Sequence, residues 1–156
     1  MIEARARIER ERTLSAALED AWAVLTDVAK WGPLFPHVDS VVPYPEAGES
    51  AFIWTMEPLG PPGARVRTVY ACRYHADPAS HTLTWTPVED VGTGRFAGHC
   101  ILEDAGDETR GTLLMDAMLE IPAPRFMRGV VAPLVQVEMG RMTDTFMDRL
   151  DDVMSL

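Results

Sequence analysis

Four histidines, two cysteines and a scatter of carboxylates are the side chains here that could carry chemistry. His37, His75, His81 and His99 fall on different segments, and no two stand at the i, i+4 spacing that sets a pair of imidazoles on one metal. His99, beside Gly98, would suit a general base if it pointed into an interior; the plainer reading is a satisfied or surface sheet histidine. Asp116 and Glu120 share one face of an alternating segment, as a carboxylate pair would, but that face lies opposite the apolar one and so in solvent. Glu138 stands at the edge of a helical apolar stripe, able to reach inward as an acid or to pair with Arg141 or Arg128 at a rim. Cys72 and Cys100 are too few and too far apart for a disulfide framework or a zinc motif, and read as buried free thiols. No GxSxG, GxGxxG, P-loop or Cys-His spacing occurs. Catalytic residues are left unassigned, and neither a metal nor a cofactor is expected.

Charge narrows the partners. The formal net charge is −10, which argues against nucleic acid and anionic membrane surfaces, since both attract basic patches. Arg95 and the series Arg65, Arg67 and Arg73 alternate with apolar residues, which sets them on an outer sheet surface in preference to a headgroup site. No run approaches the ~20 apolar residues a spanning helix needs, and the N-terminus is too charged for a signal peptide. The expectation is a cytoplasmic protein without stable membrane insertion, monomer or homodimer.

Aromatic and methionine side chains carry the stronger signal. Val131, Val135, Met139, Met142, Phe146, Leu150 and Val153 recur at steps of three and four, one face of a long helix, with Gly140, Asp144, Asp148 and Asp151 opposite. Such a helix spans about 35 Å. Four of the nine methionines lie between Met127 and Met147. Methionine suits a site that accepts varied shapes and equally fills irregular cores, so the stripe either walls a cavity or packs a dry interior. Trp54, Tyr70, Trp85, Phe96 and Met115, on alternating segments, would face it. Buried Trp and Tyr bring polar tips that a dry Leu/Ile core avoids, which tilts the reading towards a cavity.

The elements that must position these residues follow from periodicity. Glu3 to Leu14 alternates, with Ala4, Ala6 and Ile8 against Glu3, Arg5, Arg7, Glu9 and Glu11. Ser15 offers an N-cap to a helix ending near Asp27, with Glu19 and Asp20 in its first turn. A second helical turn holds Ala29 to Leu34. Strands follow over Val38 to Tyr44 and Ala51 to Glu57, then from Val66 to His75, around Leu83 and Trp85, from Gly92 through Leu102, and from Thr109 to Ile121. Pro58 to Gly63 (PLGPPG) reads as a proline-stiffened hairpin loop. The Arg95 to Leu102 alternation fits either Phe96 or His99 inward. Pro133 either begins the last helix or kinks one that starts near Pro124. Strand, two helices, hairpin-linked strands and a long helix make an α+β domain over residues 1–156.

The segment Ser15 to Val41, SAALEDAWAVLTDVAKWGPLFPHVDSV, with its "LTD" at Asp27 and its Phe35-Pro36 turn, resembles the entry region of the START-like (SRPBCC) superfamily. Gly98 in RFAGHCIL and the strand reaching Ile121-Pro122 before the terminal helix continue the likeness. The resemblance implies a helix-grip fold, a curved antiparallel sheet of about seven strands wrapped around the C-terminal helix with two short helices after the first strand. It also implies a cavity between sheet and helix. Members carry lipids, sterols, quinones or polyketides, and some cyclise, dehydrate or hydrolyse such molecules. The expected cavity residues are Trp54, Tyr70, Trp85, Phe96, Met115, Val135, Met139, Met142 and Phe146, with Trp31, Phe35 and Leu59 at an entrance. The expected partner is a small hydrophobic molecule. A cyclase/aromatase-type enzyme using the same cavity, and a protein-interaction module with a filled core, are the alternatives.

Overall fold

The first strand shows how the sequence builds the sheet. In the computed structural model, which describes residues 1–59 and 65–156, strand β1 (Ile2–Leu14) buries Ile2, Ala4, Ala6 and Ile8 and turns its odd-numbered charges outward. Those charges pair across the strands: Arg7 meets Asp116 at 3.2 Å, and Arg110 meets Glu11 at 2.6 Å. Helices α1 (Leu18–Leu25) and α2 (Val28–Trp31) and a 3₁₀ turn (Gly32–Leu34) lead to β2 (Val38–Pro43). The chain then runs through β3 (Ala51–Met56), β4 (Val69–Asp77), β5 (Thr82–Pro87), β6 (Gly94–Ala105) and β7 (Glu108–Ile121) to helix α3 (Arg128–Met154). The sheet is antiparallel throughout, in the order β1-β7-β6-β5-β4-β3-β2, so the two strands flanking α1 and α2 lie at opposite edges. This is the helix-grip arrangement that the resemblance implied.

Several expectations need correction. Ser15 does not cap α1; the capping position is Ala17, and Ser15 N–H donates instead to Asp151 of α3 at 2.7 Å. Asp27 stands at the head of α2 without a side-chain cap. The fourth strand starts at Val69, not Val66, although Val66 still bridges Leu59. Of the PLGPPG loop, residues 60–63 lie outside the described residues.

Helix α3 also departs from its sequence reading. It begins at Arg128 after a 3₁₀ turn (Arg125–Met127) and runs through Pro133 for 27 residues, about 40 Å. Pro133 sits in the second turn, where it removes a single bond, to the carbonyl of exposed Gly129. Gly140 is buried, not outward: a Cβ there would stand 3.0 Å from the Arg10 guanidinium and 3.8 Å from Ile8. Near the end Met154, not Val153, is the buried residue.

The carboxylates expected in solvent on α3 are clamps. Arg10 and Arg12 continue the inward face of β1 beyond Ile8 and reach the helix. Arg10 Nε meets Asp144 at 2.6 Å, while Arg12 pairs with Asp148 and lies 3.7 Å from Asp151. About two turns before Asp144, Gln136 grips the β1 backbone both ways, accepting from Arg7 N–H at 3.0 Å and donating to Arg7 carbonyl at 2.9 Å. Helix α3 is thereby fixed along β1.

Candidate functional site

With one side of α3 fastened to β1, its apolar face spans the rest of the concave sheet and leaves a space of about 330 Å³. That volume lies at the small end of ordinary ligand pockets. The sheet contributes Trp54 from β3, Tyr70 and Tyr74 from β4, Trp85 from β5, Phe96 from β6 and Met115 from β7. The helix contributes Val135, Met139, Met142 and Phe146. All of the side chains expected to line a cavity therefore meet around one space. Within β6, Phe96, Cys100 and Leu102 are buried on the inward face and His99 is turned outward, which resolves the two alternations left open.

The aromatic rings brace one another. Trp54 stacks on Tyr70 with centroids 5.6 Å apart and planes 11° from parallel, and Tyr70 meets Phe96 at 4.0 Å. Trp54 Nε1–H donates to the Tyr74 hydroxyl at 2.9 Å, and the Cys72 thiol donates to the Phe96 carbonyl at 3.4 Å. Trp85 lies over Gly98 of β6; a Cβ at that glycine would come within 2.7 Å of the indole. The glycine is thus what lets the ring lie close to the sheet.

The three entrance candidates separate. Trp31 is only 7% exposed, wedged against Trp54, Tyr74 and Phe146, with its indole N–H buried and without a hydrogen-bond partner among the described residues. It is wall, not rim. Phe35 is half-buried on Phe146 at 5.2 Å. Leu59, 36% exposed, stands at the mouth together with Leu134, which is 62% exposed while still lining the cavity. Val131 and Glu138 complete that rim.

Electrostatically the interior is neutral. Burial pushes the Tyr70 and Tyr74 hydroxyls well above their ordinary values and the Cys72 and Cys100 thiols up to about 12. Glu138 is the one carboxylate in the lining, and it reaches Arg141 at 3.4 Å, the rim pairing expected for it. None of the histidines lines the cavity. His81 contacts Glu19 at 2.9 Å and the edge of Trp22, His37 faces Glu57 at 3.6 Å, and His75 is exposed. Asp116 is held on the outer face by Arg7, and Arg95 by Glu89 at 2.7 Å. Among the described residues no His, Cys, Asp and Glu side chains gather as a metal site, and no helix is long and apolar enough to cross a membrane.

Sequence reasoning passed over Leu25, Met56, Leu113, Leu119, Ile121 and Met147, which also line the space. Leu113, Leu119 and Ile121 share the inward face of β7 with Met115, so extending that alternation along the strand finds them. Leu25 and Met147 carry no such signal, because they depend on how α1 and α3 are rotated against the sheet.

A family model described as polyketide cyclase / dehydrase and lipid transport matches residues 5–154. No curated protein matches the chain. Among solved structures, the Zhui aromatase/cyclase from Streptomyces sp. R1128 is similar with a TM-score of 0.68 and 16% identity, over 96% of this chain and 93% of that one. A START superfamily protein from Mycobacterium smegmatis gives 0.69 and 14%, over 95% and 96%. Norcoclaurine synthase from Thalictrum flavum, in complex with dopamine and hydroxybenzaldehyde, gives 0.63 and 16%, over 97% and 87%. At these identities the likeness is one of fold.

Proposed function

We propose a ligand-binding role from one premise: the chain belongs to the polyketide cyclase / dehydrase and lipid transport family. The ligand is a small, uncharged, hydrophobic molecule with an aromatic or otherwise flat core, held between the sheet and α3. The observation that carries this reading is the wall itself, built among the described residues of aromatic, methionine and aliphatic side chains with no cation and a single carboxylate at the mouth. Flat π-faces from several strands favour a flat partner. Burying about 300 Å² of apolar ligand surface is worth roughly 7 kcal/mol before association costs, enough for useful affinity without any ion pair. The absence of a lining cation disfavours free carboxylates such as fatty acids, which would lose hydration without a counter-charge.

Binding is preferred to catalysis for a related reason. A cyclase-type reaction needs a group that exchanges protons near neutral pH. The buried ionisable groups of the wall, Tyr70, Tyr74, Cys72 and Cys100, are all held in their neutral forms by burial. They can donate hydrogen bonds to a carbonyl but are poor bases. The test is native mass spectrometry of protein purified from its own host, with extraction and identification of whatever is bound. A stoichiometric neutral, flat adduct is the expected result. An empty protein that also fails to bind an uncharged aromatic fluorophore refutes the reading.

A further inference from the structure

Beside the cavity mouth the molecule exposes apolar side chains in a pattern that packing does not explain. Phe126, Val130, Leu134 and Val137 follow one another at steps of four, four and three, and each is more than half exposed, Phe126 by 86%. They form a stripe on the outward side of the first half of α3 and the turn before it, about 17 Å long. Leu134 belongs both to this stripe and to the cavity rim, so the exposed surface is continuous with the interior. The charges around it are mainly basic: Glu120 precedes the stretch and Glu138, paired with Arg141, follows it. From Ile121 to Val137 the chain carries Arg125 and Arg128 and no acid, within a protein of net charge −10. Neither arginine has an ion-pair partner among the described residues. Of the carboxylates bordering them, Glu3 is taken by Arg5, which leaves Glu120. On the other lip exposed Arg65 follows immediately before Val66, itself a lining residue.

We propose that this stripe docks on an anionic lipid surface, with Phe126, Val130 and Leu134 in the headgroup boundary and Arg125, Arg128 and Arg65 against lipid phosphates. An apolar stripe flanked by arginine is the pattern that interfacial helices use. The overall negative charge opposes this only weakly at contact, because at physiological salt charges well beyond about 8 Å are attenuated, and locally Arg125, Arg128 and Arg65 outnumber Glu120, Glu138 being paired with Arg141. The proposal rests on the cavity reading only for its purpose, the passage of an apolar ligand between bilayer and cavity without crossing water.

The experiment is flotation of the full chain with vesicles of phosphatidylcholine alone and of phosphatidylcholine mixed with phosphatidylglycerol, beside solution binding of an uncharged aromatic fluorophore. The chain is expected to float with the anionic vesicles, roughly tenfold or more better than with neutral ones, and less as salt rises. Phe126→Asp, at a side chain 86% exposed, should abolish flotation. The Arg125→Gln/Arg128→Gln pair should weaken it roughly thirtyfold, about fivefold per arginine. Neither variant should change fluorophore affinity. Flotation without fluorophore binding would leave docking standing and remove the cavity reading. Fluorophore binding without flotation overturns the docking proposal. So does a dimer in sedimentation equilibrium that Phe126→Asp dissociates, since a second copy would then cover the stripe.

Discussion

Replacing Gly98 by alanine tests the cavity wall and the sheet at one position. The added Cβ would stand 2.7 and 3.0 Å from Cζ2 and Cε2 of the Trp85 indole, and it would collide with the Leu114 carbonyl oxygen of β7. The first conflict is with a side chain that can retreat only into the cavity; the second is with backbone that cannot retreat without loosening the β6–β7 pair. Overpacking of the first kind costs about 1–3 kcal/mol, and displacement of the strand pair adds to it. A total of about 3 kcal/mol or more is expected, which for a chain of this size lowers Tm by roughly 6–12 °C. The assay is thermal unfolding of Gly98→Ala, Trp85→Leu and the double variant, with fluorophore binding measured on each. The double variant should recover about 1 kcal/mol of the alanine's cost, the ring's share, and no more, because the carbonyl conflict persists. Fluorophore affinity should drop in Gly98→Ala as the indole enters the space. A Gly98→Ala protein that melts within a degree of the parent, or a complete rescue by Trp85→Leu, would refute this account of why the ring lies flat.

Other outcomes follow from the same geometry. The buried thiols keep their protons in the native state from their ordinary value of 9.0 up to about 12, whereas the unfolded chain loses them first. Stability should therefore be unaffected by these groups below pH 9 and fall as pH rises from 9 towards 12, and the fall should be shallower in Cys72→Ala and Cys100→Ala when urea unfolding is followed against pH. Arg10→Ala and Arg12→Ala remove partly exposed ion pairs with α3, so each should cost about 0.2–1 kcal/mol, a difference that shrinks in high salt. Glu138 should repel carboxylates at the mouth: Glu138→Gln is expected to improve binding of a carboxylated fluorophore about fivefold, the worth of about 1 kcal/mol between charges some 4 Å apart in water-like surroundings, while leaving its uncharged counterpart unchanged. Equal effects on both fluorophores in a titration would remove that role.

Most of the fold was legible because each strand reports its own orientation through a period of two. Ala4, Ala6 and Ile8 face one way whatever they pack against, and so do Leu113, Met115 and Ala117. That these aromatics meet around one space could be read for the same reason, since inward-facing aromatics on successive strands converge beneath the one long helix among the described residues. What escaped were features set by two elements at once. Gly140 looks like a residue for the solvent face until the Arg10 side chain is seen to need its missing Cβ. Arg10 and Arg12 look like surface charges until α3 brings Asp144 and Asp148 to them. Trp31 beside Gly32 and Pro33 has the look of a loop aromatic at an entrance, yet three rings from distant elements enclose it. Helix rotation and side-chain reach have no period in the sequence.

The clasp between β1 and α3 also bears on when the space beneath α3 can be enclosed. Its ion pairs join residues 134 and 136 positions apart, so the helix has nothing to fasten to its flank until the chain has been made through Asp148. A chain still emerging from the ribosome can pair its later strands, but it presents their aromatic concave face uncovered. Loops that long are slow to close, so docking of α3 falls late in folding. The space between sheet and α3 is enclosed only when the last helix locks against the first strand.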